Sequence, residues 1–299
     1  MEAEKANYRI ARMARLLRVS PSGFYAWRNR RTSGLSGQAR ERRELDVSVR
    51  KVHTVFDCVY GAPRVTAQLA RQGVHVNEKT VASSMRRQGL EGISPRRFKP
   101  VTTIPGVATH HIPDLVKRRW DQGELDRVWI SDITYLHTRE GFLYLCAIRD
   151  ACSRRMLGSA MDERQTTDLV ERALRMAHTL RHHLPDDVVL HADRGCQYTS
   201  AQMHDVAVEL HIKQSMGQTG VCWDNAISES FWSTMKAEFY DRYTWQTRAE
   251  AKQAVARWIE VVYNRRRLHT SLDMVPPVEF EENLRAAARE DKGVLTPAA

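Results

Sequence analysis

The sequence predicts an α/β domain, a mixed β-sheet flanked by helices, preceded by an all-α helix-turn-helix region. Three observations predict it. Residues 128–160 hold three consecutive stretches of strand periodicity, after which helix and strand patterns alternate and the chain closes on helices. Residues 49–89 read as helix, break, helix, short turn and capped helix. The charge is divided: residues 1–119 carry 24 Lys+Arg against 9 Asp+Glu, a net of +15, and the rest carries 22 against 27, a net of −5, which together give the +10 of the whole chain. A basic block of this size is the footprint of a polyanion binder.

A length of 299 residues suits two domains, or one core domain with appendages. No run of eighteen apolar residues exists, so no membrane span is expected. The start, Met1-Glu2-Ala3-Glu4-Lys5, lacks the apolar stretch of a signal peptide, which makes the cytoplasm the expected compartment. Cys58, Cys146, Cys152, Cys196 and Cys222 are odd in number and form no C-x-x-C pair, which argues against a disulfide framework and a structural zinc site.

Ile10, Met13 and Leu17 recur at helical spacing, and Ser20-Pro21 offers an N-cap with proline at the first helical position ahead of Phe24, Tyr25 and Trp27. A helix-turn-helix and a plain helical hairpin both fit. Residues 32–43 read as a linker. Val49, Val52 and Phe56 mark an amphipathic helix that Tyr60-Gly61-Ala62-Pro63 breaks. A second helix runs over 64–72 to Gly73, and Asn77 caps a third that ends at Gly89. In a helix-turn-helix the second helix enters the major groove. Glu78, Lys79, Ser83, Ser84, Arg86 and Arg87 are its polar candidates; a small bundle with a charged surface is the plainer alternative. Residues 91–112 are basic and contain Pro95, Pro100 and Pro105, which marks a linker whose Arg96, Arg97 and Lys99 can track a phosphate backbone or simply be solvated.

The domain boundaries expected from this pass are 1–31, 44–92, a linker over 93–119, a core over 120–284 and a tail over 285–299. The core opens on a strand from Val128 to Tyr135, a turn at Thr138-Arg139-Glu140-Gly141 and a second strand from Phe142 to Ile148. Asp132 is a bare carboxylate in the first strand. Charge there costs free energy unless something pairs with it, so the strand is either an edge with one wet face or the carrier of a metal ligand. Met156 to Ala160 suits a third strand. Thr166 can cap a helix carrying Leu169, Ala173, Met176 and Leu180. Val188 to Ala192 is a short buried strand with Asp193 at its end, Ser200 to Leu210 a helix, and His211 to Gln214 another short strand.

After a glycine-containing loop, Asp224 can cap a helix on which Glu229 and Lys236 lie within about 20° of each other at about 100° per residue, opposite Ile227, Phe231 and Met235. A solvated face is the usual fate of such a pair. Thr247-Arg248-Ala249-Glu250 is a capping box that opens a long helix to Tyr263. Arg265, Arg266 and Arg267 follow, favourable at a helix C-terminus by dipole alone and equally suited to phosphate. Beyond Leu284 a frayed tail is expected.

Asp132, Asp193 and Glu229 stand at positions that can converge, with sixty residues between the first two and thirty-five between the last two. Three carboxylates in one pocket repel and would protonate without a cation. Two Mg²⁺ ions about 3.5–4 Å apart, with Mn²⁺ as the alternative, resolve this and suit an in-line displacement at phosphorus. Lys236 would then position the DNA backbone.

This D-x60-D-x35-E spacing, with a lysine seven residues after the Glu, resembles the D,D-35-E signature of transposases and retroviral integrases. Four local words are more specific: Trp129 to Tyr135 (WISDITY), His191 to Ser200 (HADRGCQYTS), Asp224 to Phe231 (DNAISESF) and Tyr263 to Leu272 (YNRRRLHTSL) resemble the integrase core of the insertion-sequence-three transposases. Tyr60 to Val65 is similar to the opening of that family's second helix-turn-helix. The match runs nearly the whole chain, in order, and resembles the second-frame product, OrfB.

The resemblance implies a ribonuclease-H-like fold with Asp132, Asp193 and Glu229 as metal ligands. It implies Mg²⁺-dependent cleavage at the element's ends and transfer of the freed 3′-OH to a second phosphodiester. Its partners would be double-stranded DNA, at the terminal repeats and the target. A homo-oligomer assembled on DNA and the first-frame product, OrfA, would join it in a bacterial cytoplasm at the nucleoid. Lys79, Arg86, Arg87, Arg96, Arg97, Lys236, Arg265, Arg266 and Arg267 are the expected DNA contacts. Two departures stand out: Cys196 where Ser is expected, and Gly217-Gln218-Thr219-Gly220 in place of a more basic loop. Three intact acids favour an enzyme over a DNA-binding regulator or decayed copy, and the helix-turn-helix argues against a ribonuclease H. The family places zipper heptads in the first-frame product, so the alternative is the catalytic half of a frameshift-fused transposase, inactive alone.

Overall fold

The computed structural model describes residues 1–32, 36–94, 112–217 and 226–294. These fold as two compact units, Met1–Gly92 and Ile93–Ala299. Arg96, Arg97, Lys99 and Asp224, and the departure at Gln218-Thr219-Gly220, lie outside the described residues.

The first unit is all helix: α1 (Ile10–Leu16), α2 (Pro21–Thr32), α3 (Gly37–Val55), α4 (Ala62–Arg71) and α5 (Glu78–Arg87). The Ser20 hydroxyl accepts from Gly23 N–H at 2.9 Å and Asn77 Oδ1 from Lys79 N–H at 2.8 Å, so both expected caps form. Gly73 and Gly89 end α4 and α5 at φ +82 and +64, a conformation in which a Cβ would be strained. The expected linker at 32–43 is corrected. α3 begins at Gly37 because Ser36 caps it, accepting from Ala39 N–H, and because the Arg/Glu run that follows is good helix former. Val49, Val52, Val65, Leu69, Val81 and Met85 form the core where α3, α4 and α5 meet.

The second unit is built on a five-stranded sheet in the order β3-β2-β1-β4-β5. β1 (Val128–Thr138), β2 (Gly141–Asp150) and β3 (Met156–Asp162) are antiparallel; β4 (Val189–Ala192) and β5 (Lys213–Met216) add to the other side of β1 in parallel. Asp132 therefore sits on the central strand, and the edge-strand reading of it is corrected. α6 (Thr167–Arg181) and α7 (Ala201–Glu209) cover one face with Trp129, Cys146, Ile148 and Leu157. α8 (Ala226–Glu238) and α9 (Arg248–Arg257) cover the other with Leu136, Leu143, Leu145 and Met156. This is the ribonuclease-H-like arrangement.

The apolar stripe of α6 differs from the expected one: Leu169 and Ala173 are buried with Val170, Leu174 and Ala177, whereas Met176 and Leu180 are exposed. Gly158 of β3 explains the turn of the helix. A Cβ there would meet the Ala173 carbonyl at 2.1 Å, so α6 lies flush on the strand through its alanines. Thr166 occupies the N-cap of α6 without a side-chain bond. β5 starts at Lys213 rather than His211, which takes positive φ. The capping box opens α9, with Thr247 Oγ1 accepting from Glu250 N–H at 3.1 Å. The helix then widens into a π-turn over Trp258–Tyr263, and Asn264 beyond it clips β3, bonding Met156 N–H and C=O at 2.9 and 3.0 Å.

The expected tail is also corrected, because α10 runs from Pro277 to Val294. Its anchor is Glu281, fully buried, which takes both Arg181 guanidinium N–H groups at 2.8 and 2.5 Å and Arg155 at 2.7 Å. Arg181 also donates to Asp126 at 2.7 Å, and Asp126 accepts from Trp129 Nε1 at 2.9 Å. This chain of charge ties α10 through α6 to the base of β1. No helix among the described residues is long and apolar enough to cross a membrane.

Candidate active site and DNA-binding surfaces

β1 pairs with β4 in parallel over Val128–Val189, Trp129–Leu190 and Ile130–His191. Continued two steps, that register runs Asp132 against Asp193, the first residue past β4. Neither carboxylate is loose. Asp132 Oδ1 accepts from Ile133 N–H at 2.8 Å, and Oδ2 from Trp232 Nε1 of α8 at 2.9 Å. Asp193 Oδ1 accepts from Gly195 N–H at 3.1 Å. A Cβ on Gly195 would fall 3.0 Å from that oxygen, so glycine lets the turn close on the carboxylate. Desolvation pushes the Asp193 pKa up, against the Gly195 hydrogen bond, although the side chain keeps solvent contact.

Behind the two acids, burial pushes the Cys146 thiol up to about 12 and raises Tyr198 well above its ordinary value, and the charges of Asp132 and Asp193 add to both. Both carboxylates thus act on the same two groups. Tyr198 OH lies 2.9 Å from Ser131 Oγ, fixing the stretch after Asp193 to the strand that bears Asp132.

On α8, Phe231 and Met235 are buried as the helical spacing required, and Ile227 lies where no side chain is described. Glu229, Trp232 and Lys236 follow one another at three and four residues, a single stripe of the helix. Trp232 brings that stripe onto Asp132. Lys236 Nζ lies 4.9 Å from the Tyr135 ring centroid. Burial lowers its pKa, while Asp241 and Asp132 pull the other way. Among the described residues no three His, Cys, Asp or Glu side chains form a group that could hold a metal ion. Trp232 and Tyr198 were not singled out in the sequence. The one signal for Trp232 was its place in the Glu229–Lys236 stripe.

The expected DNA contacts divide. Lys79, Ser83, Arg86 and Arg87 are exposed on α5. Arg87 also pairs with Asp46 at 2.6 Å. Ser84 is corrected: it is buried and donates to Asp46 at 2.5 Å, bracing α5 on α3. Arg265 and Arg266 are exposed, Arg265 pairing with Glu260 at 2.7 Å. Arg267 is corrected as well, because it is buried in a two-point pair with Glu238, both bonds 2.7 Å, and is unable to reach a phosphate. Replacing Arg86 with alanine is therefore expected to weaken DNA binding and reduce the slope of log Kd against log salt by roughly one, whereas an unchanged slope in a salt titration removes it from the contacts.

A small helical unit and a ribonuclease-H-like core that carries Asp132 inside its central strand, with Asp193 just past β4, fit one class, DNA-binding enzymes of polynucleotidyl transfer. Residues 124–222 and 210–277 match two families described as "Integrase core domain", and residues 39–98 match "HTH-like domain". Transposase InsF for insertion sequence IS3A of Escherichia coli strain K12 is 37% identical over 284 residues, covering 94% of this chain and 96% of the relative. The insertion element IS600 uncharacterized 31 kDa protein of Shigella sonnei is 33% identical over 274 residues, 90% and 97% covered. The chain belongs to the IS3 family of insertion-sequence transposases. Among solved structures, the simian T-cell lymphotropic virus intasome in complex with PP2A regulatory subunit B56 gamma aligns at 15% identity and TM-score 0.42, over 78% of this chain and 73% of that one. The HTLV-2 integrase catalytic core in complex with magnesium, in its trimeric form, aligns at 14% and 0.40, over 52% and 95%.

Proposed function

We propose that this transposase cuts and joins DNA through a D,D-35-E site made of Asp132, Asp193 and Glu229, with two Mg²⁺ ions as cofactor. The observation that supports the proposal most is the parallel β1–β4 pairing, which ends two residues before Asp132 on one strand and two before Asp193 on the other. The donor set fits the metal, since carboxylate oxygens are what Mg²⁺ prefers. Glu229 shares the α8 stripe that Trp232 holds against Asp132. When bound, the ions supply activation of the attacking oxygen and stabilisation of the leaving oxygen.

The residues of the chain do the positioning. Trp232 and the Ile133 N–H hold Asp132 in one orientation, and Gly195 holds Asp193, so the carboxylates need no reorganisation. Lys236 draws the phosphate backbone toward the stripe. Lys79 and Arg86 of α5 hold the terminal repeat, the helix-turn-helix assigning specificity and the core performing chemistry. The chain works as an oligomer on DNA, with a first-frame product supplying the zipper.

The test is a joining assay with labelled element ends, target DNA and Mg²⁺, run with and without the first-frame product. Joined products that vanish in EDTA are expected. Metal-independent joining, or none under either condition, sinks the proposal.

A further inference from the structure

We propose that the outer end of the β1–β2 hairpin is a stacking platform for unpaired nucleotides, on the sheet face opposite Asp132. Tyr135 faces Tyr144 and His137 faces Phe142 across the two strands. Their rings form a continuous cluster: Tyr135–Phe142 at 5.6 Å, Tyr135–His137 at 5.7 Å, His137–Phe142 at 4.6 Å and Phe142–Tyr144 at 6.5 Å between centroids. Nearer the base of the sheet the same face is covered by α6, and Tyr144 packs at the edge of that core. Past it the rings are open, with Tyr135 53% and Phe142 47% exposed and His137 exposed too.

Exposed aromatic rings side by side on a rigid hairpin are a stacking surface, and the charges around this one select its occupant. Lys236 lies over Tyr135, and Arg139 is exposed in the turn at the tip. Aromatic faces interleaved with cations are how proteins hold single-stranded nucleic acid, through base stacking and backbone attraction together. A duplex offers its base faces only to one another, so the platform takes nucleotides that have left the helix. Tyr135 is three residues along β1 from Asp132, about 10 Å, an odd step that puts its ring on the α6 face of the sheet while Asp132 meets Trp232 of α8 on the other. Lys236, carried by α8, reaches round to Tyr135 and links the two faces at this end of the hairpin. The inference rests on the proposed cutting and joining site for its purpose, and it assigns Tyr135 and Phe142 as positioning residues.

The experiment needs no metal and no chemistry, so it fails or succeeds apart from that reading. The full chain is titrated in EDTA with two fluorescent probes of one random sequence, a blunt 20-base-pair duplex and the same duplex with a five-nucleotide single-stranded tail carrying 2-aminopurine. Binding of the tailed probe about tenfold more tightly, with quenching of the 2-aminopurine, is expected. Y135A/F142A should erase the preference and the quenching while the blunt duplex binds as before, and Y135F should retain both. Equal affinity for the two probes, or equal loss on both in Y135A/F142A, overturns the proposal. So does a double variant that changes only self-association in sedimentation, which would make the rings a protein interface.

Discussion

Asp193→Asn is expected to abolish Mg²⁺-dependent strand transfer and leave DNA binding unchanged. The substitution keeps volume and leaves an oxygen for the Gly195 N–H, so the turn after β4 survives. It removes the negative charge that the proposed ions require. Changes to groups that only support a metal ligand cost about 10–100-fold, and loss of the ligand should cost more, taking joined product below detection. A second readout separates chemistry from folding. Desolvation raises the pKa of Asp193, so the ionised carboxylate opposes folding at neutral pH, and that cost is present above its folded pKa. Without metal, the Asn variant should melt at the same temperature or higher. Retained joining would remove Asp193 from the site, and lost joining with a lower melting point would assign it a structural part instead.

The largest effect on stability is expected at Glu281. Its carboxylate answers Arg181 and Arg155 inside the protein. Glu281→Ala leaves both cations without it in a buried setting, a loss of about 3–5 kcal/mol. Urea unfolding of the second unit should show the midpoint fall at unchanged slope; a shift worth less than about 1 kcal/mol would mean that water reaches the pair. The pH dependence has a definite sign. Burial alone would raise the Glu281 pKa, but the hydrogen bonds and charges of Arg181 and Arg155 outweigh it and hold the group at about 2, against an ordinary 4.5. The stability it contributes is complete above 4.5 and is lost as pH falls from there toward 2. The wild-type chain should therefore weaken steeply across that window, and Glu281→Ala less so.

Glu281 also shows what local sequence leaves open. The stretch past Leu284 looks polar and Ala/Glu-rich, which suits a frayed tail as well as a helix. The helix that carries it is anchored at Glu281 by an ion pair with Arg181, a hundred residues earlier. Arg267 makes the same point at the site. In a row of three arginines nothing local tells the one that is buried from its neighbours; Glu238, 29 residues back, decides it. Ser84, by its spacing one of the polar candidates of α5, is bound inward by Asp46. In each case the misread group is polar, and its fate was set by a partner distant in sequence.

The sequence by itself determined the local structure. The Ser20, Asn77 and Thr247 caps, the glycines that end α4 and α5, the three-strand meander and the buried Phe231–Met235 stripe all follow from dihedral preference and periodicity, which act over a few residues. It also determined the family, because whole words of the core survive in order. Only the tertiary structure decided what those words do in space. It made the strand of Asp132 central rather than an edge, paired that strand in parallel with β4, which ends one residue before Asp193, and placed Trp232 of α8 on the Asp132 carboxylate. Register, sheet order and burial of charge depend on contacts across 29 to 100 residues, and no short-range preference encodes them.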